Sequence, residues 1–450
     1  MPRPGAALAA ALLALTVGGC AHGPAAPERS PKEEAHALLQ ANQPERATAL
    51  LSRLHAQDPD DLDVARWLVE AHVKAGTADQ LLPELLAAWP AHEEVRHYML
   101  GLLAFGRSAG EAPRAVTELQ QAAAAAPGRA ELHYRLGLVL LETEAYPPAA
   151  AELRKVRELQ PDHRPVLLPL CQALARTGDR AGAVEALRLL VKAGPTPAEV
   201  KTARALMTEI SDPFAGIPKA AQGKLDEGMK WLHEYDAPQP AIVAFEEVLR
   251  DFPDLAPVHA LLGLAYQRLD DGGRAMESFK RAVELQPGVG RNFFYLGEVY
   301  RAHQRPDAAQ EQYARALALD PLLDDAYLRL GDLALERKDL AAARDAYAAL
   351  ASLQPDSTSA RGKLAAALQL NGELAAADRE LRAALHLDPE SVELQLRLGL
   401  LHAERSLRAT RDDERRQAAQ EAERWLRKVL DAQPENAVAS RTLETLKAKE

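Results

Sequence analysis

Residues 290–321 read GRNFFYLGEVYRAHQRPDAAQEQYARALALDP, and two apolar rows with a helical period run through them. Phe293, Leu296, Gly297 and Tyr300 fall on one face; Ala309, Tyr313 and Ala316 fall on another, and Pro321 closes the stretch. Each residue type has a mechanical reason. Glycine at a crossing point lets two helix backbones approach, and a bulky residue on the second helix fills the hole that the small ones leave. Proline ends the second helix because it cannot continue the backbone ladder. The stretch therefore predicts two helices packed on each other.

Working outward, the same register recurs. Upstream lie Leu262-Gly263, Tyr266, Ala275, Phe279, Ala282 and Pro287; downstream lie Tyr327, Leu330-Gly331, Ala343, Tyr347 and Pro355. Fainter copies carry Leu136-Gly137, Ala149, Leu153 and Pro161, then Leu170-Cys171, Ala183, Leu187 and Pro195, with cysteine in the glycine place. Toward the C-terminus come Leu364-Ala365, Ala377, Leu381, Ala384 and Pro389, then Leu398-Gly399 with Ala422, Leu426 and Val429. Pro59, Pro90, Pro127, Pro161, Pro195, Pro253, Pro287, Pro321, Pro355, Pro389 and Pro434 each close an amphipathic run, and six of the ten intervals between them are 34 residues. One pair of helices buries too little apolar surface to offset the entropy of ordering its chain, so neighbours must share faces and the array needs a polar end cap.

A 34-residue period with these marks resembles the tetratricopeptide repeat (TPR). The resemblance implies an all-α fold: a TPR α-solenoid, a right-handed superhelix of antiparallel helix pairs, with about 10 to 12 repeats and a C-terminal capping helix. Composition agrees, since aromatics are only 5% of the chain and its 47% apolar content is mainly Ala and Leu, which suit close-packed helices. The pattern breaks in two places. Between Pro195 and Pro253 there are 24 residues beyond one repeat, read as an unpaired helix over 197–210 and a connector, SDPFAGIP, at 211–218. Between Pro389 and Pro434 there are 11 extra residues, centred on the charged run at 405–417, read as a solvated extension of both helices or, alternatively, as a docking knob. The expected organisation is a leader at 1–19, a tether at 20–31, a divergent repeat block at 32–210, a connector at 211–222, a second block at 223–434 and a capping helix at 435–450.

The N-terminus has a short basic region, the 12-residue apolar run Ala6–Val17, then Gly18-Gly19-Cys20. That layout fits a secretory leader and falls well short of the roughly 20 residues needed to span a bilayer. Val17-Gly18-Gly19-Cys20 resembles the bacterial lipobox, although Val17 stands where Leu is usual. The resemblance implies diacylation of Cys20, which becomes the mature N-terminus, and two or more acyl chains anchor a protein where one barely does. Residues 21–31, AHGPAAPERSP, suit a flexible tether. Ala21 in place of Asp after the cysteine favours, by resemblance to enterobacterial sorting, the outer membrane facing the periplasm.

No recognised catalytic spacing occurs: HExxH, GxSxG, GxxxxGK[ST] and paired cysteines are all missing. The 13 histidines are scattered, the tryptophans Trp67, Trp89, Trp231 and Trp425 read as packing residues, and Cys171 reads as an inert buried thiol. No cofactor, metal or small-molecule substrate is expected, and nothing in the chain points to an enzyme. A net charge of -11 argues against nucleic acid, which needs a basic face.

The TPR resemblance implies that first helices line a concave groove for a peptide or helix of another protein. Projecting the helical period puts Leu264, Phe294, Leu328, Gly362 and Leu396 in that groove, with Glu298, Arg301, Asp332 and Gln369 alongside. The Lys/Asn pattern by which chaperone-binding TPRs clamp a terminal carboxylate is missing. The expected role is a lipid-anchored envelope scaffold that assembles or stabilises a multi-protein machine for secretion, pili, motility or the outer membrane. The alternative is an activator of a peptidoglycan synthesis enzyme.

Overall fold

A computed structural model describes residues 30–86 and 92–447, so Cys20 with its lipobox, nearly all of the tether, Trp89 and Pro90 lie outside the described residues. Among those described are 24 helices and no strand. They fall into two compact units that divide after Ala183, inside a helix.

The first unit pairs α1 (Pro31–Gln40) with α2 (Pro44–Gln57), α3 (Leu62–Lys74) with α4 (Ala78–Leu86), α5 (Glu93–Arg107) with α6 (Ala112–Ala125), and α7 (Ala130–Glu142) with α8 (Tyr146–Leu159). It continues into α9 (Leu167–Arg176) and the start of α10 (Arg180–Lys192). The second unit holds the rest of α10, then α11 (Pro197–Ile210), and six pairs. These are α12 (Lys219–His233) with α13 (Pro238–Asp251), α14 (Ala256–Arg268) with α15 (Gly272–Leu285), α16 (Gly290–Ala302) with α17 (Pro306–Leu319), α18 (Asp324–Glu336) with α19 (Leu340–Leu353), α20 (Thr358–Leu370) with α21 (Leu374–Leu387), and α22 (Val392–Arg408) with α23 (Asp412–Ala432). In each unit the helices of a pair pack on each other, and the second helix of one pair packs on the first of the next. The fold is thus the all-α, helix-pair stack that the 34-residue period predicts.

Local chemistry sets the helix boundaries. Ser30 and Thr196 close capping boxes with Glu33 and Glu199, and Asp271, Asp339, Ser357 and Ser391 cap α15, α19, α20 and α22 through their side chains. Second helices α2, α6, α8, α13 and α17 open with proline in the first turn, where its missing N–H costs nothing. The turn inside most pairs needs one residue in the left-handed region. Gly76, Gly178 and Gly372 supply it without strain, but Asn42, Glu144, Asp236, Asp270, Gln304 and Lys338 also adopt it, with φ between 47° and 61°.

The pairs are locked at the glycine. A side-chain carbon added to Gly297 would lie 2.6 Å from the Tyr313 ring, one at Gly263 would lie 2.7 Å from Phe279, and one at Gly399 would lie 2.7 Å from Leu426. Carbon atoms make their best contact at about 3.5–4.0 Å, so only hydrogen fits. Gly101 and Gly137 meet Leu119 and Leu153 in the same way, and Gly331 and Gly228 meet Tyr347 and Phe245. Phe279, Tyr313, Tyr347 and Phe245 are in turn almost fully buried. Cys171 is also fully buried, and burial pushes its thiol up to about 12, which makes it a packing atom rather than a nucleophile.

A second tie joins one repeat to the next. Six residues after a closing proline, a polar side chain donates back to that proline's carbonyl oxygen: His133 Nε2 to Pro127 (3.0 Å), His259 Nε2 to Pro253 (2.8 Å), Arg361 Nε to Pro355 (2.9 Å) and Gln395 Nε2 to Pro389 (3.1 Å). His133 and Arg361 also reach Glu152 and Glu380 on their own second helices. Phe293 and Tyr327 occupy the equivalent place after Pro287 and Pro321 and make no such bond.

In the second unit, the segment before α12 is not idle. Arg188 donates to the Ala318 carbonyl (3.2 Å), Arg204 pairs with Asp324 (3.1 Å), and the Ser352 hydroxyl donates to the Val191 carbonyl (3.3 Å). The segment lies against the junction of α17 and α18, where Leu322 and Leu323 are buried. At the far end, α24 (Ala437–Lys447) buries Ala439 and Leu446 in a cluster with Leu426 and Val429. The extra residues between Pro389 and Pro434 make α22 and α23 17 and 21 residues long, four and seven more than α20 and α21.

The glycine lock predicts opposite signs for one substitution at two sites. Gly223→Ala, on α12 with nothing within 4 Å, gains the helix propensity of alanine, about 1 kcal/mol, and melts at higher temperature. Gly297→Ala gains the same but forces Tyr313 from its seat, so it loses about 1–2 kcal/mol net. Denaturant unfolding of both variants measures the contrast, and a stabilised Gly297→Ala would show that the ring does not depend on the glycine.

Candidate partner-binding face

The first helices α14, α16, α18, α20 and α22, all in the second unit, form a row. Its chemistry is set by the residue after each glycine. Where that residue is acidic, the second-helix aromatic is tyrosine: the Tyr313 hydroxyl donates to Glu298, and the Tyr347 hydroxyl donates to Asp332 at 2.6 Å. Where it is Leu264, the aromatic is Phe279. The two changes go together because a phenol buried beside leucine would lack an acceptor, and a carboxylate beside phenylalanine would lack a donor.

The same acids tie successive repeats together. Arg329 Nε donates to Glu298 at 3.0 Å, and Lys363 Nζ donates to Asp332 at 3.0 Å, in both cases from 31 residues further along. Arg397 Nη1 donates to the Gly362 carbonyl (3.3 Å) and Gln369 Nε2 donates to Glu404 (2.6 Å). A polar ladder therefore climbs from α16 through α18 and α20 to α22. Burial alone would raise the Glu298 carboxyl, but hydrogen bonds from Tyr313 and Arg301 and the charge of Arg329 outweigh it and hold it below the usual range. Burial, then the hydrogen bond to the acid, pushes the Tyr313 and Tyr347 phenols up.

The sequence-predicted groove residues are divided by this arrangement. Glu298 and Arg301 are hydrogen-bonded to each other, and Arg301 is exposed. Asp332 and Gln369 are rungs of the ladder. Phe294 and Gly362 are buried, the former against the Tyr295 and Tyr313 rings at 5.7 Å. Leu264, Leu328 and Leu396 are half-buried, and each packs against a different apolar cluster. The structure does not bring the three leucines together as one patch. Sequence reasoning missed Arg329, Lys363 and Arg397, which hold the face in register. A signal existed: an acid after glycine, tyrosine 15 residues on and a cation 31 residues on, repeated in consecutive copies.

Below the ladder, Asp378 on α21 accepts from His402 Nε2 (2.8 Å) and Arg382 Nε (3.0 Å). Burial would raise this carboxyl, but the bonds from His402 and Arg382 and the charge of Arg382 win and bring it down to about 2. Among the described residues no three His, Cys, Asp or Glu side chains are grouped to hold a metal ion, and no helix is long and apolar enough to cross a membrane.

Comparison with known families matches the tetratricopeptide repeat at residues 38–80, 98–164, 140–207, 256–288 and 295–358. The chain is a tetratricopeptide-repeat protein. No curated protein matches it. Among solved structures, it is similar to YrrB, described as a TPR protein with an unusual peptide-binding site, at 20% identity over 45% of this chain and 98% of that one, with a TM-score of 0.39. It is similar to PilW, a type IV pilus biogenesis factor, at 18% identity over 50% of this chain and all of that one, with a TM-score of 0.38. MamA matches at 25% identity over 37% of this chain and 96% of that one, with a TM-score of 0.33. The glycine and aromatic marks of the TPR are thus the residues that lock its helix pairs here, and the acids beside them organise the first-helix face.

Two measurements test the polar frame. Tyr313→Phe leaves Glu298 short of a donor and costs about 1–3 kcal/mol in thermal or denaturant unfolding, while Phe279→Tyr, which adds a hydroxyl beside Leu264, destabilises as well. If either change were stabilising, the pairing of acid with phenol would not be what selects the aromatic. For Asp378 the folded carboxyl sits near 2, below the unfolded value of 3.8, so its contribution is present above about pH 4 and is lost as pH falls toward 2. Asp378→Asn should lower stability at pH 7 by about 2 kcal/mol and flatten the acid limb of a stability profile between pH 4 and 2.

Proposed function

We propose that this chain is a lipid-anchored scaffold of the bacterial envelope, in which a TPR array holds other proteins and assists assembly or stabilisation of a multi-protein complex of the secretion, pilus, motility or outer-membrane kind. The observation that carries the reading is the first-helix face of α16 to α22, whose polar groups are fixed in advance by Tyr313, Arg329, Tyr347, Lys363 and Arg397. A partner docking there meets side chains already ordered, which lowers the entropy lost on binding. Exposed Arg301 and half-buried Tyr300, whose ring carries Arg305 at 5.0 Å, offer it charge and an aromatic surface.

The anchoring half rests on Val17-Gly18-Gly19-Cys20 and on the proline-rich and alanine-rich residues that follow, which together supply an acylation site and a tether. Acyl chains would hold the array at the membrane and leave its interaction face free for partners in the periplasm, with the outer membrane favoured by Ala21.

The two halves are tested separately. Metabolic labelling with a fatty acid should mark the full chain and put it in the membrane fraction, and Cys20→Ala should remove the label and keep the uncleaved precursor. A photo-crosslinker replacing Arg301 should capture an envelope protein in intact cells, whereas one replacing Arg315, exposed on second helix α17, should not. Unlabelled wild-type protein would end the anchoring claim, and equal capture from both positions would end the claim for this face.

A further inference from the structure

The closing turn between α17 and α18 differs from its fellows. In three other repeats of the second unit the residue after the closing proline is Asp254, Asp356 or Glu390, and each is exposed. After Pro321 it is Leu322, only 5% exposed, with Leu323 buried beside it. Pro321 itself is buried, whereas Pro253, Pro287 and Pro389 are exposed. The end of the next second helix follows suit: Leu353, the last residue of α19, is 3% exposed, and Leu387, its counterpart on α21, is 40% exposed. Turns of a repeat array face water, so apolar residues that disappear from one of them are covered by another part of the chain. This junction also lacks the tie to its closing proline that Arg361 and Gln395 supply after Pro355 and Pro389, because Tyr327 stands in the donor's place.

The cover is residues 184–210, the last part of α10 with α11. Its fastenings lie on both sides of Pro321: Arg188 donates to the Ala318 carbonyl, Arg204 to Asp324 and the Ser352 hydroxyl to the Val191 carbonyl. Along α11, Val200, Ala203, Leu206 and Met207 form a buried row with helical spacing. These fastenings are thin. Two end on backbone carbonyls, and the Arg204 side chain in the ion pair is 46% exposed, where water and salt weaken its attraction. They are also separate from the seats that lock the pairs beneath, where Gly297 meets Tyr313 and Gly331 meets Tyr347. Gly194 and Gly216, both in the left-handed region, bracket α11 at the points where the chain turns.

We infer that residues 184–210 are a strap, which closes over an apolar seat made by Pro321, Leu322 and Leu323 and opens locally without unpairing the helices on which it lies. Closed, the strap holds the α17–α18 junction in place of the tie that Tyr327 does not make. Open, it uncovers the seat and takes Arg204 away from Asp324, so the chain's own segment governs access to this edge of the second unit. The inference does not depend on the first-helix face and stands or falls apart from it.

The test is backbone hydrogen exchange of the full chain, read by mass spectrometry. In Arg188→Glu/Arg204→Glu, amides in 197–210 and 322–328 should exchange about ten-fold faster than in the wild type, and do so together, while those in 297–301, 309–313 and 392–398 keep their wild-type rates. Leu322→Asp should act in the same way. Aspartate already occupies this place of the turn at Asp254 and Asp356, so the change reads the strap rather than the fold of the turn. If either variant leaves 197–210 at the wild-type rate, the proposal falls. It falls equally if 392–398 speeds up as much as 197–210, since the segment would then open only when the whole array does.

Discussion

The structure depends on one close approach repeated along the chain: a second-helix ring or leucine seated on a first-helix glycine that has no side chain to keep it away. Dispersion and apolar burial both favour that contact, and both fall away steeply if the backbones separate by even one carbon atom. Because Phe279, Tyr313 and Tyr347 are buried to within a few per cent, their seats fix the distance and rotation between the helices of a pair. Everything polar on the first-helix face is then positioned relative to those seats. The left-handed turn residues follow from the same demand, since the chain must reverse within a few residues to bring the second helix back over the glycine.

Polar chemistry does a different task. Glu298, Asp332 and the side chains that return to the closing prolines act between repeats and not within the apolar seat. Each satisfies a group that stacking would otherwise leave unpaired, the proline carbonyl among them, and each works only in one register. Such ties add directionality to a stack whose apolar contacts alone tolerate sliding. They also consume side chains that would otherwise be free, so fewer charged groups on the first-helix face are left unpaired.

Where the repeat is broken, the surplus chain has been put to use. The segment carrying Arg188 and Arg204 covers the α17–α18 junction, where leucines at 322 and 323 would otherwise face water. The insertion after Pro389 leaves the buried half of α22 and α23 in register, with Gly399 on Leu426, and carries its extra turns beyond that seat. Irregularity in a repeat array thus marks places where a surface is made, because regular positions are already committed to neighbours.

Much of the fold was legible in the sequence. Pro253, Pro287, Pro321, Pro355 and Pro389 give the period, and Leu-Gly followed by Phe or Tyr gives the pairing, because both depend on backbone and volume effects that act within some thirty residues. Three of the turn residues announce themselves as glycine, but Glu144, Gln304 and Lys338 do not, since tertiary packing imposes a conformation that their own preferences oppose. The first-helix face was legible only in part. Helical projection finds which side of α16 or α18 carries Phe294, Glu298 and Leu328, yet it cannot say that Phe294 sinks into the core or that Glu298 is taken by Arg329. The period is written into the chain by short-range sterics; which charges remain free is decided only when side chains from neighbouring repeats meet in space.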